Sequence, residues 1–413
     1  LELQKDHFFV TGKAGTGKST LLQLFRKTTG KKVVVLSPTG ISALNVQGQT
    51  IHSFFQFPPK LMHQGEIFIN KRLVRLLSAL DAIIIDEVSM VRADVLDAID
   101  FSLKLHRKSV APFGGVQMLF FGDLFQLPPV VSSQEEREYF RTVYPSPYFF
   151  DAHIFKSHVH LVMIELTRVY RQRERNFIQL LDAIRTMQFD YDELDSLNER
   201  YLPDEPIEEP YLTLCSTNAA AQQINKDRLA LLTTPSFYYS GEVKGDFNPK
   251  LFPTDYKLEL RLDGQVMLIR NDPEKRFVNG SLARIVGLEE EKIIVSMTSD
   301  GGKTEVFELP KMTWEVNKYT LSTDTDNPIK AEVIGSFIQY PVRLAWAVTI
   351  HKSQGKTYER VAIDLGRGAF EHGQTYVALS RCTSLNGVFL KKPLTPRDIM
   401  VDERVAEFYE TMR

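Results

Sequence analysis

The chain has 413 residues, of which 43% are hydrophobic and 25% are charged, and its formal net charge at pH 7 is −2. This composition is ordinary for a soluble globular protein, and the length is enough for two or three domains. No apolar run approaches the ~20 residues that a membrane-spanning helix needs, so we expect no membrane partner. The nearly balanced charge excludes a protein that is basic throughout, so an anionic partner requires a local basic or base-stacking surface.

The first strand-like run is followed by a complete phosphate-binding loop. Residues 12–19 read Gly-Lys-Ala-Gly-Thr-Gly-Lys-Ser and lie between the apolar run 8–10 and a helix-like stretch. Glycines let backbone N–H groups face a polyphosphate, and a helix N-terminus adds positive potential. A structural glycine-rich turn is the alternative, which the flanking strand and helix disfavour. The loop therefore predicts a nucleotide site with six ligands, namely Gly15, Thr16, Gly17, Lys18, Ser19 and Thr20.

Short apolar runs alternate with helical segments from residue 8 to about residue 165. The runs 33–36, 82–85 and 118–121 are continuous and uncharged, which is typical of strands buried on both faces of a parallel sheet. Polar residues follow each run, and ligands of open α/β sheets bind at the carboxyl ends of strands. The pattern therefore predicts an α/β fold whose chemistry lies at one edge of a parallel sheet.

Two of these strand ends carry candidate catalytic residues. Asp86 and Glu87 follow the run 82–85, so Asp86 is placed to hold Mg²⁺ and Glu87 to polarise an attacking water. Gln126, after the run 118–121, is placed to bond either the γ-phosphate or the attacking water. An acidic pair after an apolar run is also common without any function, and a proline-terminated surface turn is the alternative at Gln126.

The rest of the chain is predicted to hold a second α/β unit with a β-rich insertion. We place the first domain at 1–165 with a small insert at about 56–73, and the second at 166–235 and 341–413. Residues 236–340 are rich in short β runs with turn signals, such as Asp300-Gly301-Gly302, and predict an inserted small antiparallel barrel.

Arginines near both ends of the second unit are candidates for phosphate chemistry. Arg168 and Arg171 lie in the segment 165–172, and Arg381 follows an apolar helix-like run. Arginine offers a fixed fork of donors to the charge that develops on a transferring phosphoryl group. Most arginines are solvated or in surface ion pairs, which is the alternative for each of them.

Two distant segments echo each other. Thr50-Ile51-His52-Ser53 is matched by Thr349-Ile350-His351-Lys352-Ser353, although four matching residues can also be coincidence. If the echo is real, it marks equivalent loops that offer hydroxyls and an imidazole to one phosphate backbone. Phe54 follows His52, and an aromatic ring among polar donors suits stacking on single-stranded bases, whereas core packing is the alternative.

Taken in order, these segments resemble the motifs of superfamily 1 helicases. Within that superfamily the chain is similar to the petite-integration-frequency (PIF) DNA helicases. The most specific marks are the segment 94–117, which ends in Pro112-Phe113-Gly114-Gly115-Val116-Gln117, and the run 350–357. The resemblance extends over almost the whole chain. It departs at one place, because the family's glutamine upstream of the first strand has no clear match and Gln4 lies close to the phosphate loop, which leaves adenine selectivity open.

The resemblance implies two RecA-like parallel-sheet domains with ATP and Mg²⁺ in the cleft between them, a small inserted β-barrel and a small strand-separating insert. It implies ATP-driven 5′-to-3′ translocation on single-stranded DNA and unwinding of duplex DNA. The implied catalytic residues are Lys18, Glu87, Gln126, Arg171 and Arg381. Gly355 joins the loop residues at the nucleotide, and the implied metal ligands are Ser19 and Asp86. The expected DNA contacts are Thr39, His52, Thr349, His351 and Ser353, to which we add Phe54 for base stacking.

Expected partners are single-stranded DNA and tailed or forked duplex DNA, with quadruplex DNA left open, and the expected state is a monomer. Cys215 and Cys382 have no metal-like spacing and favour a reducing compartment. We therefore expect a cytoplasmic, nucleoid-associated protein in a bacterium, or a nuclear or mitochondrial one in a eukaryote, acting in DNA repair, recombination or telomere maintenance. Two other functions stay open: a RecD-like helicase subunit of a larger complex, and a nucleotide-gated module that binds single-stranded DNA.

Overall fold

The computed structural model describes residues 1–2, 5–156, 159–202, 210–298, 304–321 and 329–413, without the side chain of Gln64. Gln4 and the predicted turn at 300–302 lie outside the described residues. The chain divides into two compact units. Unit 1 comprises Leu1–Tyr170, Glu315–Gly335 and Asp402–Arg413, and unit 2 comprises Arg171–Trp314 and Ser336–Val401. The domain boundaries drawn from the sequence stay predictions.

Unit 1 is built on a six-stranded parallel sheet. Its strands are β1 His7–Gly12, β2 Val33–Ser37, β3 Gln49–Thr50, β4 Ala82–Ile85, β5 Gln117–Phe121 and β6 Leu161–Leu166. Their order in space is β3-β2-β4-β5-β1-β6, and every pair is parallel. All residues of β4 and β5 are buried, because uncharged β-branched and aromatic runs suit the centre of a sheet covered on both faces. The predicted parallel α/β sheet is confirmed.

Helices connect these strands. They are α1 Lys18–Thr28, α2 Gly40–Asn45, α3 Ile51–Phe55, α4 Lys71–Ser78, α5 Ala93–Arg107 and α6 Gln134–Val143. Most begin at a polar residue whose side chain accepts a backbone N–H of the first turn, as Asn70 does for α4 and Ser133 for α6. Phe8, Leu22, Val35 and Ile84 meet in the core between α1 and the sheet.

Three buried aspartates on α5 attach the surrounding loops to this helix. Asp94, Asp97 and Asp100 are spaced by three residues and therefore lie along one side of the helix. Asp94 accepts the N–H of Met62 at 2.9 Å, and Asp100 accepts that of Phe113 at 2.7 Å. Asp97 accepts the backbone N–H groups of His153 and Ile154, each at 3.0 Å, and the Tyr144 hydroxyl at 2.9 Å. The segment 94–117 that marks the family resemblance is thus a structural fastening for the loops around it.

Unit 2 contains a smaller parallel sheet and the β-rich insertion. The elements between residues 171 and 401 are, in chain order, α7 Arg175–Thr186, α8 Tyr191–Asn198, β7 Leu212–Cys215, α9 Asn218–Ala230, β8 Phe237–Ser240, β9 Glu242–Gly245, β10 Lys257–Leu260, β11 Gln265–Leu268, β12 Leu282–Glu289, β13 Lys292–Thr298, β14 Thr304–Glu308, β15 Met312–Leu321, β16 Ile329–Gln339, β17 Val342–Leu344, β18 Ala347–Thr349, α10 Ile350–Ser353, β19 Val361–Asp364, α11 Gln374–Leu379 and β20 Val388–Leu390. All belong to unit 2 except the parts of β15 and β16 that lie within Glu315–Gly335. The parallel sheet has the order β18-β7-β19-β20.

The insertion is made of β-structure, as its sequence predicts. Strands β14-β13-β12-β11-β17 form a five-stranded antiparallel sheet, and β10 pairs antiparallel with β8. Strands β15, β16 and β9 form a third sheet. Closure of these sheets into a barrel stays a prediction.

Two later parts of the chain complete unit 1. The last helix, α12 Glu403–Thr411, places Tyr409 in a hydrogen bond with Thr11 of β1 and in a ring stack with Phe125. The tip of β15 and β16 also belongs to unit 1, where Tyr319 hydrogen bonds with Val35 and Gln49. Among the described residues, no helix has the length and apolar character needed to span a membrane.

Asp97→Ala should lower the free energy of unfolding by about 3 kcal/mol, because it leaves two buried backbone N–H groups and a tyrosine hydroxyl without their acceptor. Urea unfolding followed by circular dichroism measures the change. The matched control is Asp195→Ala, an exposed position on α8, which should shift stability by less than ~0.5 kcal/mol. Equal shifts for the two variants would contradict the fastening role of Asp97.

Candidate functional site

The phosphate loop leaves β1 at Gly12 and enters α1 at Lys18. Gly17 precedes the helix with φ 88°, a left-handed conformation that glycine adopts without cost. The Lys18 ammonium donates to the carbonyls of Gly12 at 2.7 Å and Lys13 at 3.1 Å, so it lies over the loop. Ser19 and Thr20 are exposed on the first turn of α1, which carries no acidic residue. The free helix N-terminus can therefore attract an anion.

The acidic pair lies at the same edge of the unit 1 sheet. Asp86 directly follows Ile85, which pairs with Phe120 of β5, and Phe121 pairs with Val10 of β1. Burial, with the neighbouring charge of Glu87, raises the pKa of Asp86 to about 7, and the charge of Lys18 acts in the opposite direction. A bound cation would therefore stabilise the ionised form of the Asp86 carboxylate.

The backbone turns sharply at Glu87. This residue has φ 53°, a left-handed conformation that is uncommon for a residue with a side chain, and it begins the turn Val88–Met90. Such strain persists where the surrounding structure fixes a side chain in one direction. The conformation of Glu87 is therefore a backbone outlier directly beside the candidate metal ligand Asp86.

Gln126 is buried and is held by Asp123, one of the polar residues that follow the predicted strands, although the sequence predicts no catalytic role for Asp123. Its side-chain amide donates to the Asp123 carboxylate at 3.3 Å, and its backbone N–H donates to the Asp123 carbonyl at 3.0 Å. Asp123 also accepts the N–H of Phe125. The only sequence signal for this role was that Asp123 follows a buried strand.

Magnesium fits the oxygen donors at this edge. The described residues contain no group of three or more His, Cys, Asp or Glu side chains arranged to hold a metal. Mg²⁺ commonly keeps several waters and takes only one or two protein ligands together with phosphate oxygens. One hydroxyl, that of Ser19, and one carboxylate, that of Asp86, fit such a site without a complete protein cage.

In unit 2 the two predicted arginines lie side by side. Arg171 donates to the Ser380 carbonyl at 3.0 Å, and Arg381 donates to the Val377 carbonyl at 2.9 Å and to the Ser380 hydroxyl at 2.9 Å. Arg381 is only 1% exposed. Burial and the charge of Arg381 lower the pKa of Arg171 to about 9. Two crowded guanidinium groups are stabilised by an arriving anion.

Gln172 fixes this arginine pair and was missed by sequence reasoning. Its side-chain amide donates to the carbonyls of Ser380 at 3.1 Å and Cys382 at 2.8 Å, on both sides of Arg381. The segment that carries Arg171 is thereby joined to the segment that carries Arg381, within one unit. A polar residue next to a candidate arginine was the only signal in the sequence.

The echo between the two Thr-Ile-His segments is structural as well as sequential. Thr50 ends β3 and caps α3 by accepting the N–H of Ser53 at 3.3 Å. Thr349 ends β18 and caps α10 by accepting the N–H of Lys352 at 3.3 Å. Thr39 caps α2 in the same way. In both units a histidine therefore stands at the second position of a short helix at a strand end.

The histidines are half-buried and differently surrounded. Burial lowers the pKa of His52, and the charge of Arg92 acts in the same direction. His351 lies 3.1 Å from the Glu371 carboxylate. Gly355 follows α10 with φ 78° and open space where a side chain would be, so its backbone is accessible.

Three predicted DNA residues are occupied by internal packing. Phe54 is 3% exposed and packs edge-on against Phe55 and Tyr319, so core packing accounts for this ring and it offers no surface to a base. The Ser353 hydroxyl is buried and donates to the Ile350 carbonyl at 2.7 Å. The Thr349 side chain is buried in its capping bond. DNA that contacted these three side chains directly would have to displace the internal contacts that they already make.

The parallel sheet, the phosphate loop and the acidic pair at one edge define a P-loop nucleotide-binding protein of the RecA-like type. A family profile described as PIF1-like helicase matches residues 1–193. The ATP-dependent DNA helicase Pif1 of Campylobacter jejuni is 30% identical over an alignment of 447 positions. The alignment covers 99% of this chain and 95% of that protein. The human ATP-dependent DNA helicase PIF1 is 32% identical and matches all of this chain, which spans 62% of the human protein's length. The chain belongs to the PIF1-like helicase family.

Solved structures agree with this assignment. Pif1 from a Bacteroides species in complex with ADP-AlF4 is 38% identical, with a TM-score of 0.90 over 98% of this chain and 93% of that one. Bacteroides Pif1 bound to single-stranded DNA is 40% identical, with a TM-score of 0.70 over 99% of this chain and 94% of that one. The family resemblance and the RecA-like α/β fold predicted from the sequence are confirmed.

Gly12→Ala should destabilise unit 1 more than Gly17→Ala. Both residues have positive φ, so alanine costs about 1–2 kcal/mol of strain at either position. At Gly12 a Cβ would also lie 2.5 Å from the Leu166 carbonyl oxygen, whereas at Gly17 it would meet nothing within 4 Å. Thermal denaturation without nucleotide measures the difference, and the reverse ranking would contradict the packing of the loop against β6.

Proposed function

We propose that this chain is an ATP-dependent DNA helicase that moves 5′-to-3′ along single-stranded DNA and unwinds duplex DNA. The observation that carries the proposal is the intact phosphate loop and acidic pair in a chain that is related to Pif1 helicases along nearly its whole length. The Bacteroides relatives have been solved in complex with ADP-AlF4, and with ADP-AlF3 together with single-stranded DNA. These relatives support an enzyme that couples ATP hydrolysis to movement on DNA.

At the nucleotide, each residue has a distinct task. Lys18 leaves the carbonyls of Gly12 and Lys13 to neutralise the β- and γ-phosphates, and backbone N–H groups of residues 15–20 cradle them. Ser19 and Asp86 would hold Mg²⁺, which supplies charge neutralisation at the phosphates. Glu87 orients and deprotonates the attacking water, and Gln126 contacts the γ-phosphate from its position on Asp123.

Arg171 and Arg381 are proposed to serve the γ-phosphate as its charge develops. Because the two guanidinium groups repel each other in a buried site, binding of an anion next to them is favourable. Gln172 joins the two segments that carry them. Interactions that strengthen only in the transition state raise kcat rather than nucleotide affinity. The backbone N–H of Gly355 is proposed to bind the same phosphate.

DNA binding is proposed at the two capped helices. Thr50 with His52 in unit 1, and Thr349 with His351 in unit 2, present similar N–H groups and imidazoles at strand ends. Thr39 adds a third capped helix start in unit 1. Helix N-termini and neutral donors suit a phosphate backbone that is gripped without reading its sequence.

The small insert is proposed to separate strands. It is fastened to α5, because Asp94 accepts the N–H of Met62 and His106 accepts that of Asn70. Near the carboxyl-terminal end of the insert, the side chains of Phe68 and Ile69 are 78% and 60% exposed. A braced loop with two exposed apolar side chains can stack against the end of a duplex while the motor pulls one strand.

Finer features are also part of the proposal. Forked DNA is a proposed substrate, and a solved structure that is 39% identical to this chain is described as DNA unwinding at forked double-stranded DNA by two coordinating Pif1 helicases. We propose that a single copy suffices for translocation on single-stranded DNA. Quadruplex binding, roles in repair, recombination or telomere maintenance, and a cytoplasmic, nuclear or mitochondrial location follow the family's expected biology.

The polarity of unwinding tests the proposed function. Duplexes with a 5′ single-stranded tail should be unwound with ATP, whereas duplexes with a 3′ tail or blunt ends should not. Lys18→Ala is the matched inactive variant and should lose ATPase and unwinding while keeping single-strand affinity, because the loop lysine serves phosphate charge rather than DNA. Unwinding of 3′-tailed duplexes, or ATP hydrolysis by Lys18→Ala, would contradict the proposal.

Arg171→Ala and Arg381→Ala should each lower the kcat of DNA-stimulated ATP hydrolysis by about 10³-fold and change nucleotide affinity little. Single-turnover hydrolysis on saturating DNA measures the chemical step. Arg175→Ala, an exposed arginine at the start of α7, is the matched control and should hydrolyse ATP at the normal rate. A variant of either buried arginine that retains normal single-turnover hydrolysis would exclude that residue from the reaction.

A further inference from the structure

A cleft in unit 2 has no role in the site described above. It has a volume of about 740 Å³ and is formed by two stretches of chain, the loop 365–369 that follows β19 and the segment 392–398 that follows β20. Both stretches begin at the carboxyl ends of neighbouring parallel strands, since Ile363 pairs with Leu390. Ligands of open parallel sheets bind at this edge.

The cleft opens on the same sheet edge as the predicted DNA contacts. Cys215 pairs with Asp364 on one side and with Thr349 on the other, so the loop 365–369 and the helix α10 start at one level of the sheet. Two residues beyond this loop, Glu371 lies 3.1 Å from His351. A single-stranded DNA that contacts His351 would therefore pass near the loop that forms the cleft.

The side chains at the cleft rim are mostly cationic. Arg367, Lys392 and Arg397 all line it and are all exposed. Lys392 donates to the Gly366 carbonyl at 2.8 Å. Among the described residues, Arg367 and Arg397 have no hydrogen-bond or ion-pair partner. Their charges are available to an anion.

The carboxylates nearby are engaged in holding the loops. Asp398 accepts the N–H of Ala369 at 3.0 Å and both the N–H and the hydroxyl of Thr395, at 2.8 and 2.7 Å. Asp364 accepts the N–H of Gly366 at 2.9 Å. These bonds fix the shape of the cleft and leave the cations at its rim.

An exposed aromatic ring completes the surface. Phe370 follows the loop, is 54% exposed, and has its backbone N–H fixed by a hydrogen bond to the Gln374 side chain at 3.1 Å. The ring thus directly follows the cationic loop in the chain, and an exposed ring next to such a loop is a combination that binds single-stranded nucleic acid, because rings stack on bases while cations contact phosphates. A site for a free nucleotide's phosphates would not need the ring.

We propose that this cleft is an additional single-stranded DNA subsite, in which Arg367, Lys392 and Arg397 contact backbone phosphates and Phe370 stacks on a base. The proposal rests on the proposed helicase function and extends its DNA path on unit 2 beyond His351. It also supplies the exposed aromatic platform that the buried Phe54 does not provide.

The salt dependence of binding tests the subsite. Each phosphate contact to a single strand contributes about 0.7 to the slope of log affinity against log salt. The double variant Arg367→Gln/Arg397→Gln should therefore make that slope shallower by about 1.4 for an oligothymidine ligand. The matched control Lys27→Gln/Arg141→Gln removes the same charge from exposed positions on α1 and α6 and should leave the slope unchanged.

A second variant separates stacking from charge. Phe370→Leu should weaken oligothymidine binding about tenfold with no change of the salt slope, because only the ring is lost. Affinity for a non-hydrolysable ATP analogue should be the same in all variants. If the double variant keeps the normal slope, or if it loses analogue affinity instead, the subsite is refuted. If the unmodified protein binds no single-stranded DNA, the proposed function itself fails.

Discussion

The structure depends on the direction of its parallel strands. In a parallel sheet all carboxyl ends emerge at one edge, and strands buried on both faces leave that edge as the place where polar side chains can stand. Unit 1 places Gly12, Asp86 and Asp123 there, and unit 2 places Thr349 and Asp364 there. The phosphate loop, the acidic pair, the capped helices and the cationic cleft all follow from this one constraint.

The buried ionisable residues of this molecule fall into two groups: some accept hydrogen bonds that hold the fold together, and others lie next to a like charge. Asp94, Asp97 and Asp100 are buried, and each accepts backbone N–H groups that would otherwise be unsatisfied, so their charge stabilises the resting fold. At Asp86 and Arg171, burial and a neighbouring like charge shift the pKa in the direction that favours the neutral form of each group. Groups under that kind of stress cluster at functional sites. The first group of residues therefore stabilises the fold, and the second belongs to the candidate functional site.

Local hydrogen bonds explain why two distant segments look alike. A threonine at the end of a strand accepts an N–H from the first helical turn, which fixes the start of the helix and the position of the histidine that follows. This device needs only four or five consecutive residues, so it is visible in the sequence. What surrounds each histidine is not local: Arg92 influences His52, whereas Glu371 contacts His351.

Features that depend on neighbouring residues were predictable before the fold was known. The apolar runs specified the buried strands, the glycines with Lys18 and Ser19 specified the phosphate loop, and the order of motifs specified the family. Which side chains meet depends on the folded chain. Arg171 reaches Ser380 across 209 positions of the chain, and Gln172 completes that bridge. Phe54 is covered by Tyr319, whereas Phe370 is exposed directly after the loop that carries Arg367. Periodicity and spacing fix local conformation, but burial and charge pairing arise from contacts between distant segments, which no local pattern records.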